Sequence, residues 1–306
     1  MQLQDLAGEL VQASYAQSTL FTYTKCWKKF LAFLLYHGFT SALPAPPEHI
    51  ALFVASLFNE GKSLSTIRTN LSAISCHLKF KNLPDNSKHF IVIRMLKGIK
   101  NVEKKKPSLL PITFPILAKL INTLSLYTHD VFLRTLLKSM FLLCYHACLR
   151  VGELTHSNKK EHALKIENIV IHEAGLSNNI TITLESFKHS KSPAVFVLMP
   201  SQDRHLCPVG SLLDYLKLRS ASPGVLYRDI RNRPISRYFF VKHLKSCLEF
   251  LNLDTKRYNS HSFRVGRASD LAVQGTPESV IRQTGRWNSD AFLKYVRFEL
   301  FRLPQS

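Results

Sequence analysis

The stretch KIENIVIHEAGLSNNITITLESFKHSKSPAVFVLMP, residues 165–200, decides how this chain is built. Three runs within it, KIENIVIHE, NNITITLESF and SPAVFVLMP, alternate β-branched or aromatic residues with polar ones and are separated by turn formers. A period of two places alternate side chains on one face, so the stretch predicts a three-stranded antiparallel sheet. On both sides the apolar spacing changes to that of helices. Upstream lie two helices, roughly 113–125 and 128–149, leading into CLRVGELTHS (148–157). Downstream, from Cys207 onward, helices are expected at about 208–219, 235–251, 263–274, 277–284 and 289–298.

The segment NVEKKKPSLLPI (101–112) combines a lysine run with two prolines, the composition of an interdomain linker. Domains are therefore expected at 1–103 and 113–306, with 104–112 joining them. The first reads as all helical. Ser18 is expected to cap a run through Phe21, Tyr23, Trp27, Phe30, Phe33 and Leu34 that stops at Gly38. After the turn LPAPP come a helix at about 48–58, a helix capped by Ser65 that carries Ile67, Leu71, Ile74 and Leu78, and a fourth at about 88–100. The fold class is mainly α, with a small antiparallel sheet in the second domain.

Composition narrows the partners. The 306 residues carry 41 Lys+Arg against 21 Asp+Glu, a formal net charge of +20. Residues 1–106 contribute +8 and the remainder +12, so both domains attract polyanions, and DNA is the expected ligand. An acidic membrane surface or RNA has only this charge in its favour. Apolar stretches are broken by Lys, Arg or His well before the ~20 residues of a bilayer span, and MQLQDLAGEL lacks the pattern of a secretory signal. The six cysteines form no C-x-x-C pair, which fits reduced thiols inside a cell. Cys144, His146 and Cys148 share a helix-like segment but have no second ligand pair nearby, so they are read as buried structural residues and no metal is assigned.

The chemistry concentrates in HSFRVGRASDLAVQGTPESVIRQTGRWNSDAFLKYVR (261–297). It contains His261-x-x-Arg264, then Gly285-Arg286-Trp287, then Tyr295. Leu149-Arg150-Val151-Gly152-Glu153-Leu154 supplies a second arginine, and the hairpin LESFKHSK supplies Lys188. In this order the motifs resemble the tyrosine recombinase (phage integrase) family over nearly the whole chain. HSFR, GRW, the terminal YVR and the CPV of Cys207-Pro208-Val209 look most like recombinases of eukaryotic mobile elements, DIRS-like or Crypton-like.

The resemblance implies a helical, SAM-like core-binding domain followed by a catalytic domain. It implies cutting and rejoining of DNA through a 3′-phosphotyrosine at Tyr295, with no cofactor, and a homotetramer on two double-stranded DNA sites, a dimer per site. The proton donor to the departing 5′ oxygen is implied to be a lysine on the β-hairpin: Lys188 matches best, and Lys191 competes. A nuclear location is expected if the host is eukaryotic, and a cytoplasmic one otherwise. Two rival readings are a type IB topoisomerase-like enzyme and a domesticated DNA-binding protein that no longer cleaves.

The residue types suit that chemistry. Transesterification at phosphorus builds negative charge on non-bridging oxygens, and guanidinium groups such as Arg150 and Arg264 stay charged and grip two oxygens at once. His261 can hydrogen-bond the same phosphate and handle the nucleophile's proton. The indole N–H of Trp287 can donate to the phosphate while its ring packs the site. Glu153, three residues after Arg150, is placed to orient Arg150 or His261. Tyr295 taken alone is an ordinary helical tyrosine, and only its company makes it a nucleophile. Lys25, Lys28, Lys62, Ser65, Arg68, Lys97, Lys191, Arg267 and Arg286 are the expected DNA-binding residues.

Overall fold

The structure, a computed structural model, describes residues 3–39, 43–103, 108–157, 163–174, 177–185, 192–287 and 289–296. The chain divides into two compact units, residues 1–106 and 107–306.

The first unit consists of helices α1 (Leu3–Ala13), α2 (Gln17–Tyr36), α3 (Pro47–Asn59), α4 (Leu64–Phe80) and α5 (Phe90–Val102). Trp27 stacks on His77 at 4.8 Å, while Tyr15, just before α2, meets Phe80 near the end of α4 at 5.9 Å. Helices α2 and α4 therefore run antiparallel. Trp27, Phe30, Phe53, Ile67, Ile74 and Val92 belong to a core contained within this unit. The two expected caps shift. Ala16 precedes α2, so Ser18 lies inside it. The Ser63 hydroxyl, not that of Ser65, accepts from the Thr66 N–H at 3.3 Å. Leu64 is buried and Ser65 exposed, which sets the helix start one residue after Ser63.

In the second unit the chain enters as an extended strap. The Leu110 N–H donates to the Arg257 carbonyl at 2.8 Å, and the Ile112 N–H to that of Ser262 at 2.9 Å. Ile112 is fully buried. The end of the expected linker, through residue 112, is thus part of this unit, because its apolar side chains and backbone donors have partners there. Then follow α6 (Phe114–Tyr127), α7 (Val131–His146), the single turn α8 (Val151–Leu154), strands β1 (Ile169–Ala174), β2 (Ser177–Leu184) and β3 (Ala194–Leu198), and helices α9 (Pro208–Leu218), α10 (Arg237–Phe250), α11 (Ser262–Val273) and α12 (Glu278–Gly285).

The fold is mainly helical with one small sheet, as the alternation at 165–200 predicts. The sheet is antiparallel in the order β1-β2-β3, pairing Ile171 with Ile180 and Ile182 with Phe196. Ile180, Ile182, Leu184 and Leu198 point into the main core, while Val195 and Val197 on the opposite face are exposed.

Three features of the second unit position the site. First, the helix expected over 128–149 ends at His146. Cys148 takes a left-handed φ of 50°, and Arg150 becomes the N-cap of α8. Second, α11 lies against the entering strap: a Cβ on Gly266 would stand 1.8 Å from the Ile112 carbonyl oxygen. Asp270, four residues on, accepts from the Phe114 N–H at 2.7 Å and from the buried Tyr145 hydroxyl. Third, Cys148, Ala268, Leu271, Ile281, Trp287 and Phe292 form a small second cluster with Tyr295 packed on it.

Candidate active site

Side chains of α11 and the residue that follows the end of α12 meet at Tyr295. Within the helix expected over 289–298, the described residues form a 3-10 turn over Asp290–Lys294, and Tyr295 follows it, its N–H bonded to the Phe292 carbonyl at 2.8 Å. Its own carbonyl accepts from the Ser269 hydroxyl at 3.2 Å. The ring lies 4.9 Å from that of His261 and 4.8 Å from that of Trp287 between centroids. The Arg264 guanidinium carbon lies 5.8 Å from the Tyr295 ring and 4.9 Å from the Trp287 ring.

His261 opens α11 and is held by its own loop. Its N–H donates to the Asn259 side chain at 2.7 Å, while the Asn259 N–H donates to the buried Ser262 hydroxyl at 3.0 Å. Short polar side chains thus satisfy the backbone donors of the helix start.

Arg264 is fully buried, which composition alone does not foretell. Its Nη1 donates to the Cys148 carbonyl and its Nη2 to the Gly285 carbonyl at 2.8 Å. These carbonyls sit at the C-terminal ends of α7 and α12, where the helix dipoles are negative, so two helix ends stabilise one buried cation. Both ends turn the same way. At α7 the Leu149 N–H returns to the Cys144 carbonyl and the Cys148 N–H to that of Tyr145; at α12 the Trp287 N–H returns to Arg282 and the Arg286 N–H to Gln283. This is the Schellman pattern, whose left-handed residue is usually glycine. Here it is Cys148 in one turn and Arg286 in the other, at φ 50° and 55°. The other non-glycine left-handed residues among those described are asparagines, which tolerate that region. Trp287 stands one position after the left-handed residue of its turn and Arg150 two positions after that of the other.

Glu153 ties the turns together. It is buried, its Oε1 accepts from Arg150 Nη1 at 3.0 Å, and its Oε2 accepts from the Arg150 N–H at 2.8 Å and from Arg286 Nη2 at 2.7 Å. Glu153 therefore orients Arg150 from the capping position of α8 rather than along a continuous helix. The Arg150 side chain is 24% exposed and that of Arg286 only 6%. Burial pushes the Arg286 guanidinium below its ordinary value, and Glu153 pulls it back up. The indole N–H of Trp287 is buried and has no acceptor among the described residues, which leaves it a donor for a ligand oxygen.

The remaining expected residues separate into three groups. Lys188 and Lys191 lie outside the described residues. Lys25, Lys28, Lys62, Ser65, Arg68 and Lys97 are all exposed on the first unit, with Lys62 3.8 Å from Glu60. Arg267 and Arg286, expected to face DNA, are turned inward: the Arg267 guanidinium lies 5.5 Å from the Tyr145 ring centre, and Arg286 is committed to Glu153. The brace of Asp270, Tyr145 and the Phe114 N–H is not in the motif set. Its one sequence signal is an acid within the apolar run of ASDLAV.

Cys144 and Cys148 are buried, burial pushes both thiols up, and no group of three or more metal-ligating side chains occurs among the described residues. No helix among them is long and apolar enough to cross a membrane.

No protein-family model and no curated protein matches the sequence. Solved structures do match. The chain is similar to the XerH site-specific recombinase bound to its difH substrate in a pre-cleavage complex, with TM-score 0.61 and 18% identity over 90% of this chain and 75% of that one. It is similar to a lambda integrase dimer bound to a COC′ core site, with TM-score 0.63 and 16% identity over 99% and 97%. It is also similar to the Tn1549 transposon integrase in complex with transposon right end DNA, with TM-score 0.61 and 13% identity over 98% and 96%. These neighbours are a site-specific recombinase and two integrases, and this chain has their fold.

Proposed function

We propose that this protein is a site-specific DNA recombinase that cuts and rejoins DNA through a 3′-phosphotyrosine at Tyr295. The observation that carries the reading is the gathering of His261, Arg264 and Trp287 around one tyrosine, with Arg150 tied through Glu153 to Arg286, the neighbour of Trp287. The fold shared with recombinases solved on DNA supports it.

In the proposed reaction the Tyr295 oxygen attacks phosphorus and its proton passes toward His261. Arg150, Arg264 and the Trp287 N–H meet the growing charge on the non-bridging oxygens. The bond to the 5′ oxygen breaks, and Lys188, or Lys191, returns a proton to it. The phosphotyrosine bond keeps the energy for rejoining, so the reverse attack by a 5′ hydroxyl restores both DNA and tyrosine. In the arrangement described, the Arg264 guanidinium is fully buried beside the Trp287 and Tyr295 rings, so a phosphate reaches it only when neighbouring groups shift.

The proposal extends to double-stranded DNA as partner, a homotetramer on two sites with a dimer on each, and work in the nucleus for a mobile element of the DIRS or Crypton kind. The net charge of +20 supports the first of these and the motifs HSFR, GRW and YVR the last.

The test is a nicked suicide duplex carrying the DNA that flanks the coding region. The native chain is expected to form a covalent adduct and Tyr295→Phe none. Tight binding of that duplex without any adduct from the native chain overturns the enzyme reading. Relaxation of any supercoiled plasmid by a monomer, without defined recombinant products, replaces it with a topoisomerase.

A further inference from the structure

Glu153 carries two guanidinium groups where one would neutralise it. We infer that Arg286 is a positioning residue that acts as the standing counter-ion of Glu153 and thereby frees Arg150 to move onto the phosphate. The inference rests on the cleavage reaction proposed above.

Leaving a buried carboxylate unpaired costs enough that such a group keeps a cation whenever one is in reach. Glu153 is buried, and each of its oxygens holds a guanidinium, Arg150 Nη1 at 3.0 Å on Oε1 and Arg286 Nη2 at 2.7 Å on Oε2. If Arg150 were the sole partner, it would be pinned to Glu153. With Arg286 in place, Arg150 can swing away and Glu153 remains paired. Solvent access sorts the two roles, because the more exposed side chain is that of Arg150 and Arg286 is closed in.

The geometry of Arg286 separately shows that its side chain is committed. Its Nη1 and Nη2 lie 3.4 Å from the carbonyl oxygens of Ala147 and Cys148, so it spans from the end of α12 to the end of α7. Its backbone is left-handed, with φ 55° and ψ 50°, at a turn position that glycine fills without strain. An arginine held there against its backbone preference is held by what its side chain binds.

The test is single-turnover adduct formation on the nicked suicide duplex, read beside affinity for the same duplex. Arg286→Met keeps the volume and removes the charge. It is expected to slow adduct formation on the order of 10²-fold while affinity changes less than about threefold, because Arg150 is then tied to Glu153 and misplaced. Adding Glu153→Gln, which keeps an acceptor for the Arg150 N–H but removes the charge, releases Arg150 and is expected to recover at least about tenfold of the rate. Arg286→Gly relieves the backbone and is expected to be as slow as Arg286→Met, whereas Arg286→Lys is expected to fall between native and Met.

An Arg286→Met rate within about threefold of native, or a double variant no faster than Arg286→Met, overturns the inference and leaves only a packing role. If Arg286→Met does not fold, the order of the glycine and lysine variants decides the matter. Should the native chain give no adduct, the recombinase reading itself fails, an outcome distinct from a native adduct that Arg286→Met leaves intact.

Discussion

The two units of this chain use positive charge in opposite ways. In the first, Lys25, Lys28, Arg68 and Lys97 are exposed around an aromatic and aliphatic core that does not involve them. In the second, Arg264 and Arg286 are buried, and each is bonded to groups from two or more separate segments. An exposed cation loses little when it moves, because water replaces its partners. A buried one fixes everything that satisfies it. The same residue type therefore adds to a field in one unit and determines architecture in the other.

The largest effect is expected at Arg264. Arg264→Ala removes the donor of the Gly285 carbonyl and leaves the Cys148 carbonyl only the 3.4 Å contact of Arg286, at two converging helix ends. Stability of the second unit is expected to fall by about 3–5 kcal/mol, and adduct formation by at least about 10³-fold. Arg264→Lys has one ammonium where two diverging carbonyls need a fork, so it should recover little of either. Denaturant unfolding and the adduct assay read the two effects. A loss of activity with unchanged stability would show that the carbonyl contacts carry no structural weight.

Next in size is Gly266. A methyl group there would stand 1.8 Å from a backbone oxygen of Ile112 that cannot rotate away. Gly266→Ala must therefore push α11, with His261 and Arg264 on it, off the strap at residues 110–112. The expected loss is about 3 kcal/mol with a matching drop in adduct formation. Gly98 is the control in the first unit, since nothing lies within 4 Å of its added Cβ and Gly98→Ala should be neutral or slightly stabilising.

These positions also show what the sequence makes legible. The sheet is readable because β-strands repeat every two residues and Ile180, Ile182 and Leu184 keep that period. The candidate site is readable in the sequence only as an order of motifs, Arg150, His261, Arg264, Trp287 and Tyr295. The break after α7 is not readable. CYHACLRVGEL contains neither glycine nor proline before Arg150, and the left-handed turn at Cys148 is stabilised by Arg264, which lies 116 residues away. The inward turn of Arg286 and Arg267 is hidden for the same reason, since their partners Glu153 and Tyr145 come from distant segments. Ser63 and Ser65 are equally good caps by type, and the burial of Leu64 between them decides.

A smaller effect sharpens the contrast through pH. Burial, and then the Arg267 guanidinium, push the His146 imidazole down to about 4, against about 6.5 in an unfolded chain. Between those values the unfolded state binds more protons than the folded one. The contribution of His146 is therefore fully present above about pH 6.5 and is lost as pH falls toward 4. His146→Phe removes the titration without orphaning a partner, since the buried Nε2 has none among the described residues. The stability difference between native and variant is expected to shift by about 2 kcal/mol in favour of the variant across that window. A difference that stays flat with pH would mean that His146 is open to water.

The smallest effects belong to the exposed cations of the first unit. Lys25→Ala, Lys28→Ala and Arg68→Ala remove side chains that are exposed on α2 and α4 and have no ion pair among the described residues. Each should change stability by less than about 0.5 kcal/mol. If each meets one phosphate, each should also lower the slope of log affinity against log salt by about 1, equally for specific and unrelated duplexes. A phosphate contact positions DNA without reading it, so the ratio of specific to non-specific affinity should stay put. A change in that ratio at Arg68 would place its guanidinium on a base edge instead, and this one exposed cation would then be as geometrically fixed as Arg264.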